Sequence, residues 1–368
     1  GAGGEKRPGN DHFTDGVRCY LTGHSSNRYF VIDALRCVDY LLSRPDVDAR
    51  NGVAMTGVSG GGLTTLYAAM LDNRIAVIGP SCCAVPAAMH PVLDGYAECP
   101  EPMAPGRFAL YDTPDLLAAA GPRPVMLMAG AEDEVFNETM SRAIADDVRT
   151  CFEKAGNGER FSFFLDPGGH AYTPAMALAF VRWTDRWMRG ITDRKLPDGI
   201  EDSLEMLPPE ALACHPRTDR NMVSINADYA VALRAARATS AAPLAERVRM
   251  VVHAAADTPA PEARVRPPAL VWRHVAQELL LTPEAGIELP VTFLYPSAPG
   301  WRGDVLVFFD DRGRWTGLRS QGPLAAFSQF IADAPEGPAI FAVDLRGWGD
   351  STPADMRYDL AGWGARER

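Results

Sequence analysis

Three residues of different chemistry stand in matching surroundings: Ser59 in Gly57-Val58-Ser59-Gly60-Gly61, Asp133 in Gly130-Ala131-Glu132-Asp133-Glu134, and His170 in Asp166-Pro167-Gly168-Gly169-His170. A serine hydroxyl is a poor nucleophile until a base takes its proton, and an imidazole serves as that base when a carboxylate fixes its tautomer and stabilises its charge. Together the three offer nucleophile, base and orienting acid for acyl transfer. Glu132 and Glu134 flank Asp133 and read as surface carboxylates. His170 alone would be an ordinary loop histidine; the other two give it a role.

The surrounding elements have to bring these residues to one place. Residues 53–56 (VAMT) are a short apolar run bounded by glycine, the profile of a buried parallel strand, and 63–71 (LTTLYAAML) suits a helix. Strand, sharp turn and helix in that order force Ser59 into a strained backbone conformation. Positions two before and two after it must then be small, because strand and helix approach closely. Gly57 and Gly61 meet that requirement. The turn also sets Ser59 at a helix N-terminus, where the Gly60 amide can hold a developing oxyanion.

Residues 75–78 with Gly79-Pro80 behind them, 124–130 (PVMLMAG) and 161–165 (FSFFL) predict three further buried strands. Asp133 follows the third strand and His170 the fourth. Helices are predicted over 29–43, where Phe30, Ala34, Cys37, Val38 and Leu41 recur at helical spacing, over 138–155, and over 175–188 with Phe180, Trp183 and Trp187 on a packing face. Alternating strand and helix predicts a parallel sheet covered on both faces, with the three residues in the crevice at the strands' carboxyl ends. Residues 1–28 read as a loop. Residues 81–112, with His90, Asp94, Tyr96, Glu98 and Glu101, read as a cap or pocket wall.

DALRCVDYLLSRPDVD (33–48), TGVSGGG (56–62), AGAEDEVF (129–136) and DPGGH (166–170) together resemble the α/β-hydrolase superfamily and, within it, the acetyl xylan esterase and dienelactone-hydrolase-like branch. The resemblance implies an α/β-hydrolase fold with Ser59 as nucleophile, Asp133 as acid and His170 as base. It also implies a serine carboxylesterase, without cofactor, for short-chain acyl esters, acetyl esters of carbohydrates among them. A peptidase or amidase of the same fold, and a non-catalytic hydrolase-like scaffold, are the alternatives. In the superfamily the opening strands and the oxyanion loop precede the elbow, whereas here only a short glycine-rich segment does.

The missing strands occur at the other end of the chain. Residues 191–268 read as a partly helical connector, with helices at 229–237 and 244–256 and a Pro/Arg-rich stretch ending at Pro267-Pro268. Strand signals return at 272–281, 289–295, 304–309 and 339–343, with a helix at 322–332. Asp344-Leu345-Arg346-Gly347-Trp348-Gly349-Asp350 resembles the D-x-R-G-x-G loop that comes shortly before the elbow. The chain is accordingly divided into 1–190, the elbow half carrying nucleophile, acid and base; 191–268, the connector; and 269–368, the opening-strand half of the same domain. This is a circular permutation of an α/β-hydrolase, with a mostly parallel sheet of about eight strands and helices on both faces. Residues 1–7 (GAGGEKR) look like the end of the same loop, which supports the rival reading: the middle of a two-domain tandem protein, each domain incomplete, whose halves pair within the chain or exchange between chains of a homodimer. The permuted order puts Asp310-Asp311-Arg312-Gly313-Arg314 where the superfamily supplies its second oxyanion amide, here that of Asp311. The side chains of Asp310 and Asp311 would face solvent or pair with Arg312 and Arg314.

Charge and cysteines narrow the rest. Across 368 residues, 47 acidic against 36 basic side chains give a net charge of −11, which argues against nucleic acid or an anionic membrane surface as partner. No apolar run approaches the roughly 20 residues of a membrane span. No signal peptide opens the chain, which begins at Gly1, so cytoplasmic and secreted locations both stand. The seven cysteines (19, 37, 82, 83, 99, 151, 214) lack C-x-x-C spacing, which argues against zinc. Cys82 and Cys83 read as free core thiols at a strand end, and a disulfide joining Cys19 to Cys37, or one to Cys99, would require export. With no Walker pattern and no H-E-x-x-H, neither cofactor nor metal is expected, and the expected partner is a small-molecule or carbohydrate ester.

Overall fold

The apolar runs that frame the three chemical residues become a four-stranded sheet, seen in a computed structural model that describes residues 12–84, 86, 109–195, 199, 207–208, 211, 220–237, 243–254, 258–271, 274–318 and 337–352. Strands β1 (Val53–Val58), β2 (Ile75–Ser81), β3 (Val125–Gly130) and β4 (Phe161–Asp166) lie side by side in chain order, each neighbouring pair parallel. They belong to the first of two compact units, Gly1–Ser240, the second being Ala241–Arg368.

Side-chain alternation along a strand explains why β3 is apolar throughout. Val125 and Leu127 face one core, with Val38 of helix α2 (Asn27–Ser43), Leu66 of α3 (Gly60–Leu71), Leu117 of α4 (Thr113–Ala119) and Ile144 and Phe152 of α5 (Glu138–Lys154). Met126 and Met128 face the other core, with Phe136 and with Met176, Phe180 and Trp183 of α6 (Pro174–Thr184). Two covered faces leave no polar side to β3, and all six of its residues are buried. This is the expected α/β sheet with helices on both faces. Gly79 belongs to the same packing, because a Cβ there would stand 2.3 Å from the Phe180 ring.

Several expectations are corrected in this unit. Residues 12–21 are not loop but a helix, α1 (His12–Leu21). It is tied to α7 (Met222–Arg237), whose buried Asn226 donates to the Arg18 carbonyl at 3.0 Å and accepts from the Thr22 hydroxyl at 2.9 Å. β2 runs through Gly79-Pro80 to Ser81 rather than stopping before them. Cys37 is a free thiol, so the disulfide joining it to Cys19 does not form. The cap residues His90, Asp94, Tyr96, Glu98 and Glu101, along with Cys99 and Cys214, lie outside the described residues. Among the described residues no helix is long and apolar enough to cross a membrane.

In the second unit, helix α8 (Leu244–Val252) precedes six strands: β5 (Glu262–Val265), β6 (Ala269–Val271), β7 (His274–Glu284), β8 (Ile287–Pro296), β9 (Val305–Phe308) and β10 (Ala339–Val343). Their order is β5-β7-β8-β10-β9, with β6 also on β7. The strands expected from 272 onward are present, while β5 and β6 arise in the stretch read as connector. The expected helix at 322–332 lies outside the described residues. Only β10–β9 is parallel. The mostly parallel character therefore holds for the first sheet and not for this one: the short turn at Ala285-Gly286, with Gly286 at φ 82°, can only return β8 antiparallel to β7. The described ladders form a four-stranded sheet in the first unit and a six-stranded sheet in the second.

The D-x-R-G-x-G loop encloses a buried charge. Asp344 is wholly buried and accepts from the backbone and guanidinium of Arg314, itself the first residue of α9 (Arg314–Leu318), and from the Asp350 amide at 3.0 Å. Gly349, at φ 51°, has no room for a side chain, since a Cβ would stand 2.6 Å from the Asp344 carboxylate. Arg314 thus pairs with Asp344, Asp350 and Glu278 rather than with Asp310 or Asp311.

Candidate active site

β1 ends at Val58 and α3 begins at Gly60, so Ser59 makes the whole turn between them. It does so at φ 56°, ψ −121°, which a residue with a Cβ tolerates at a cost of about 1–3 kcal/mol. Its amide donates to the Ser81 carbonyl at 2.9 Å and its carbonyl accepts the first helical bond, from Leu63 at 3.0 Å. The amides of Gly60, Gly61 and Gly62 therefore have no partner within the helix and form its positive end. Gly57 is required: a Cβ would lie 2.7 Å from the Gly61 backbone. Gly61 is not, because its Cβ would meet nothing within 4 Å. The constrained position is Gly62, pressed against Cys83 and Ser81.

Parallel strands put all their carboxyl ends on one edge, so the residues after β1, β2, β3 and β4 share that edge. Ser59, Cys82, Asp133 and His170 are those residues. The loops are laced together. Ala131 N donates to Asp166 O at 2.8 Å, and Glu132 N to Gly168 O at 3.0 Å. A Cβ on Gly130 would lie 2.4 Å from the Gly169 carbonyl oxygen, so only glycine lets the two loops approach. Thr56 gives its hydroxyl proton to Gly79 O at 2.6 Å, which leaves Tyr172 OH as the donor in its 2.9 Å bond to Thr56 Oγ1. That bond joins the loop after β4 to β1.

Asp133 and His170 are brought together. His170 Nδ1 lies 3.0 Å from Asp133 Oδ2 and 3.1 Å from Oδ1, with the carboxylate side chain fully buried and the imidazole 22% exposed. Asp133 Oδ1 also accepts from the amides of Val135 and Phe136, each at 2.8 Å. Burial pushes the Asp133 carboxyl upward, but the His170 hydrogen bond and the two amides outweigh it and hold the group below its ordinary value. The same Asp133 hydrogen bond raises His170 against the opposing effect of burial, with the charges of Asp133 and Glu134 adding to the rise. Phe136 stacks on the imidazole at 5.5 Å between centroids. Glu132 and Glu134 are exposed, as expected. Among the described residues no hydrogen bond links the Ser59 hydroxyl to His170.

Two further groups, Asp166 and Thr173, hold the turn that carries His170. Buried Asp166 accepts from Gly168 N at 2.8 Å and from the Thr173 hydroxyl at 2.6 Å, and Thr173 in turn caps α6 through Met176 N. The turn carrying His170 is closed by these bonds, and the Asp-Pro-Gly-Gly spelling was the available signal. Cys82 sits beside the dyad, its Sγ within 4.8 Å of the Asp133 and His170 donor atoms. No spacing rule announces that neighbour. Asp311 is an exposed residue of the second unit, next to Asp310, whose carboxyl the Arg312 guanidinium holds down at about 2.

No family model matches the chain. Among curated proteins, "Putative hydrolase YtaP" of Bacillus subtilis (strain 168) is 25% identical over 175 residues, which are 46% of this chain and 56% of the relative. The chain thus spans little more than half the length of the relative it matches. Among solved structures, a carbohydrate esterase family 15 glucuronoyl esterase from Caldicellulosiruptor kristjansonii is similar over 47% of this chain and 55% of its own, with a TM-score of 0.35 and 21% identity. Methylesterase BT1017 is similar over 50% and 40%, with a TM-score of 0.39 and 19% identity. A glucuronoyl esterase from Sporotrichum thermophile is similar over 52% and 62%, with a TM-score of 0.40 and 14% identity.

Proposed function

We propose that the protein is a serine carboxylesterase that works without a cofactor. The observation that carries this is the Asp133–His170 pair, anchored by two backbone amides, on the sheet edge where Ser59 stands in a strained turn. The likeness to YtaP, a protein named as a hydrolase, supports the class of reaction. Ser59 Oγ attacks the ester carbonyl carbon while His170 Nε2 takes its proton. Asp133 keeps the other imidazole proton on Nδ1 and stabilises the imidazolium. The Gly60 amide donates to the oxyanion, and the Asp311 amide is assigned as second donor. His170 returns the proton to the leaving alcohol, and water activated by the same nitrogen releases the acyl group. Apo sites commonly lack the nucleophile–base hydrogen bond and close it around substrate. The substrates we assign are short-chain acyl esters of small molecules or carbohydrates.

The proposal extends to a circularly permuted α/β-hydrolase domain whose opening strands come from the second unit. Each unit ends its sheet on a parallel strand, β1 in one and β9 in the other, and Val305 and Val307 leave apolar surface exposed along β9.

Fluorophosphonate labelling of the purified full chain, followed by peptide mapping and light scattering, tests the reading. Labelling at Ser59 is expected, and Ser59→Ala is expected to lower p-nitrophenyl acetate hydrolysis by about 10³-fold or more. Labelling in a monomer supports the permuted domain, whereas labelling only in a dimer points to halves exchanged between chains. A folded chain that takes no label overturns the esterase, and turnover of aminoacyl amides alone would replace it with a peptidase.

A further inference from the structure

The residues that follow β2, β3 and β4 place a thiol, a carboxylate and an imidazole in one cluster: the donor atoms of Cys82, Asp133 and His170 all lie within 4.8 Å of one another. Three ligands from three strand ends are what spacing along a chain cannot reveal. A tetrahedral Zn²⁺ with bonds of about 2.0–2.3 Å holds its donors about 3.3–3.6 Å apart. The Asp133–His170 separation of 3.0 Å is slightly shorter than that, and the limit of 4.8 Å somewhat longer. The donors thus stand within about 1.5 Å of the spacing the cation requires. Asp133 and Cys82 are buried and His170 is partly exposed, so the imidazole side is the way in.

We propose that Cys82, Asp133 and His170 form an inhibitory site for a thiophilic divalent cation of the zinc class. The inference rests on the esterase reading for its consequence, though not for the binding itself. The buried Cys82 thiol donates to the Ala171 carbonyl at 3.7 Å and accepts from the Ser81 hydroxyl at 3.6 Å; burial pushes it up, with the Asp133 charge adding to the rise. A cation replaces the thiol proton, which leaves to solvent, and forms the metal–sulfur bond. It also takes the lone pair of His170 Nδ1, so the imidazole proton moves from Nδ1 to Nε2. An Nε2 that already carries a proton cannot accept one from Ser59. The metal thus switches the base off by its tautomer and breaks the Asp133–His170 hydrogen bond at once.

Cd²⁺ is the probe for the site, because thiolate-to-cadmium charge transfer absorbs in the ultraviolet whether or not the protein hydrolyses anything. Titration of the full chain is expected to show one more tightly held, absorbing equivalent in the wild type than in Cys82→Ser or Cys82→Ala; exposed Cys37 and Cys151 are common to all three. His170→Gln is expected to retain the thiol band but weaken its affinity about 10–100-fold, which separates a three-ligand site from a lone thiol. In ester hydrolysis, Zn²⁺ is expected to inhibit reversibly, with EDTA restoring activity. Cys82→Ser should keep wild-type activity without metal and need about 100-fold more Zn²⁺ for half-inhibition. Equal cadmium uptake by wild type and both Cys82 variants would overturn the site while leaving the esterase standing. A cadmium band lost in Cys82→Ser from a protein with no esterase activity would keep the site and sink the esterase.

Discussion

Gly130 faces the carbonyl oxygen of Gly169 so closely that a Cβ on Gly130 would stand 2.4 Å from it. The loop bearing Asp133 and the loop bearing His170 therefore touch through bare backbone. Gly130→Ala is expected to push them apart, lowering stability by about 1–3 kcal/mol and kcat by about 10²-fold. Urea unfolding beside p-nitrophenyl acetate kinetics checks both, and wild-type kcat in a destabilised variant would show that the dyad does not depend on this contact.

Two adjacent glycines should respond oppositely. Gly62→Ala drives a methyl to 2.6 Å from Cys83 Sγ and 2.7 Å from Ser81 O, and a loss of about 1–3 kcal/mol is expected. Gly61→Ala enters open space in the first turn of α3 and should be neutral, or stabilising by up to about 1 kcal/mol. Thermal melts of the two variants decide it; equal losses would refute the packing account of the elbow.

Asp133→Asn preserves shape but offers Nδ1 an amide, so the imidazole settles in the wrong tautomer. A fall in kcat of about 10³–10⁴-fold with KM nearly unchanged is the expected signature. A KM effect alone would assign Asp133 to substrate binding.

The pH dependence has a definite sign. In the proposed mechanism His170 serves as base only when neutral, and its pKa is raised, first by the Asp133 hydrogen bond. Activity should therefore rise with pH through a midpoint above the ordinary imidazole value of about 6.5. In Asp133→Asn the midpoint should move down. Through His170 the pair's stabilisation is fully present below about pH 6.5 and is lost as pH rises through the raised value. Through Asp133, whose pKa is lowered, it is present above about pH 3.9 and is lost as pH falls through the lowered value. Rate profiles and denaturation midpoints across pH check the two directions.

In the second unit, Asp344→Ala would leave the buried Arg314 guanidinium without its main counter-charge. A loss of about 3–5 kcal/mol is expected. Denaturant titration measures it, and a loss below about 1 kcal/mol would mean that Asp350 and Glu278 suffice.

What could be read in the sequence was local. Ser59 is marked by glycines within three residues, and Asp133 and His170 by the apolar strands directly before them. What was missed depends on partners distant in the chain. The helix at His12–Leu21 is fastened by Asn226, about two hundred residues away. Arg314 was matched to the aspartates beside it, whereas its partner Asp344 is thirty residues on and enclosed by a glycine loop. Cys82 reaches the dyad because β2 lies between β1 and β3, and strand order is not written in hydrophobic periodicity. The antiparallel β7–β8 pair did have a sign, the Ala285-Gly286 turn between two apolar runs.

The first sheet's spatial order is also its order of synthesis. Each of β2, β3 and β4 follows in the chain the strand it pairs with, so every closure of this sheet is a short-range one. Ser59 emerges first, Asp133 next and His170 last. A nascent chain that has not yet added β4 holds Ser59 and Asp133 but lacks His170, so the hydrogen bond between Asp133 and His170 forms only once that strand has docked.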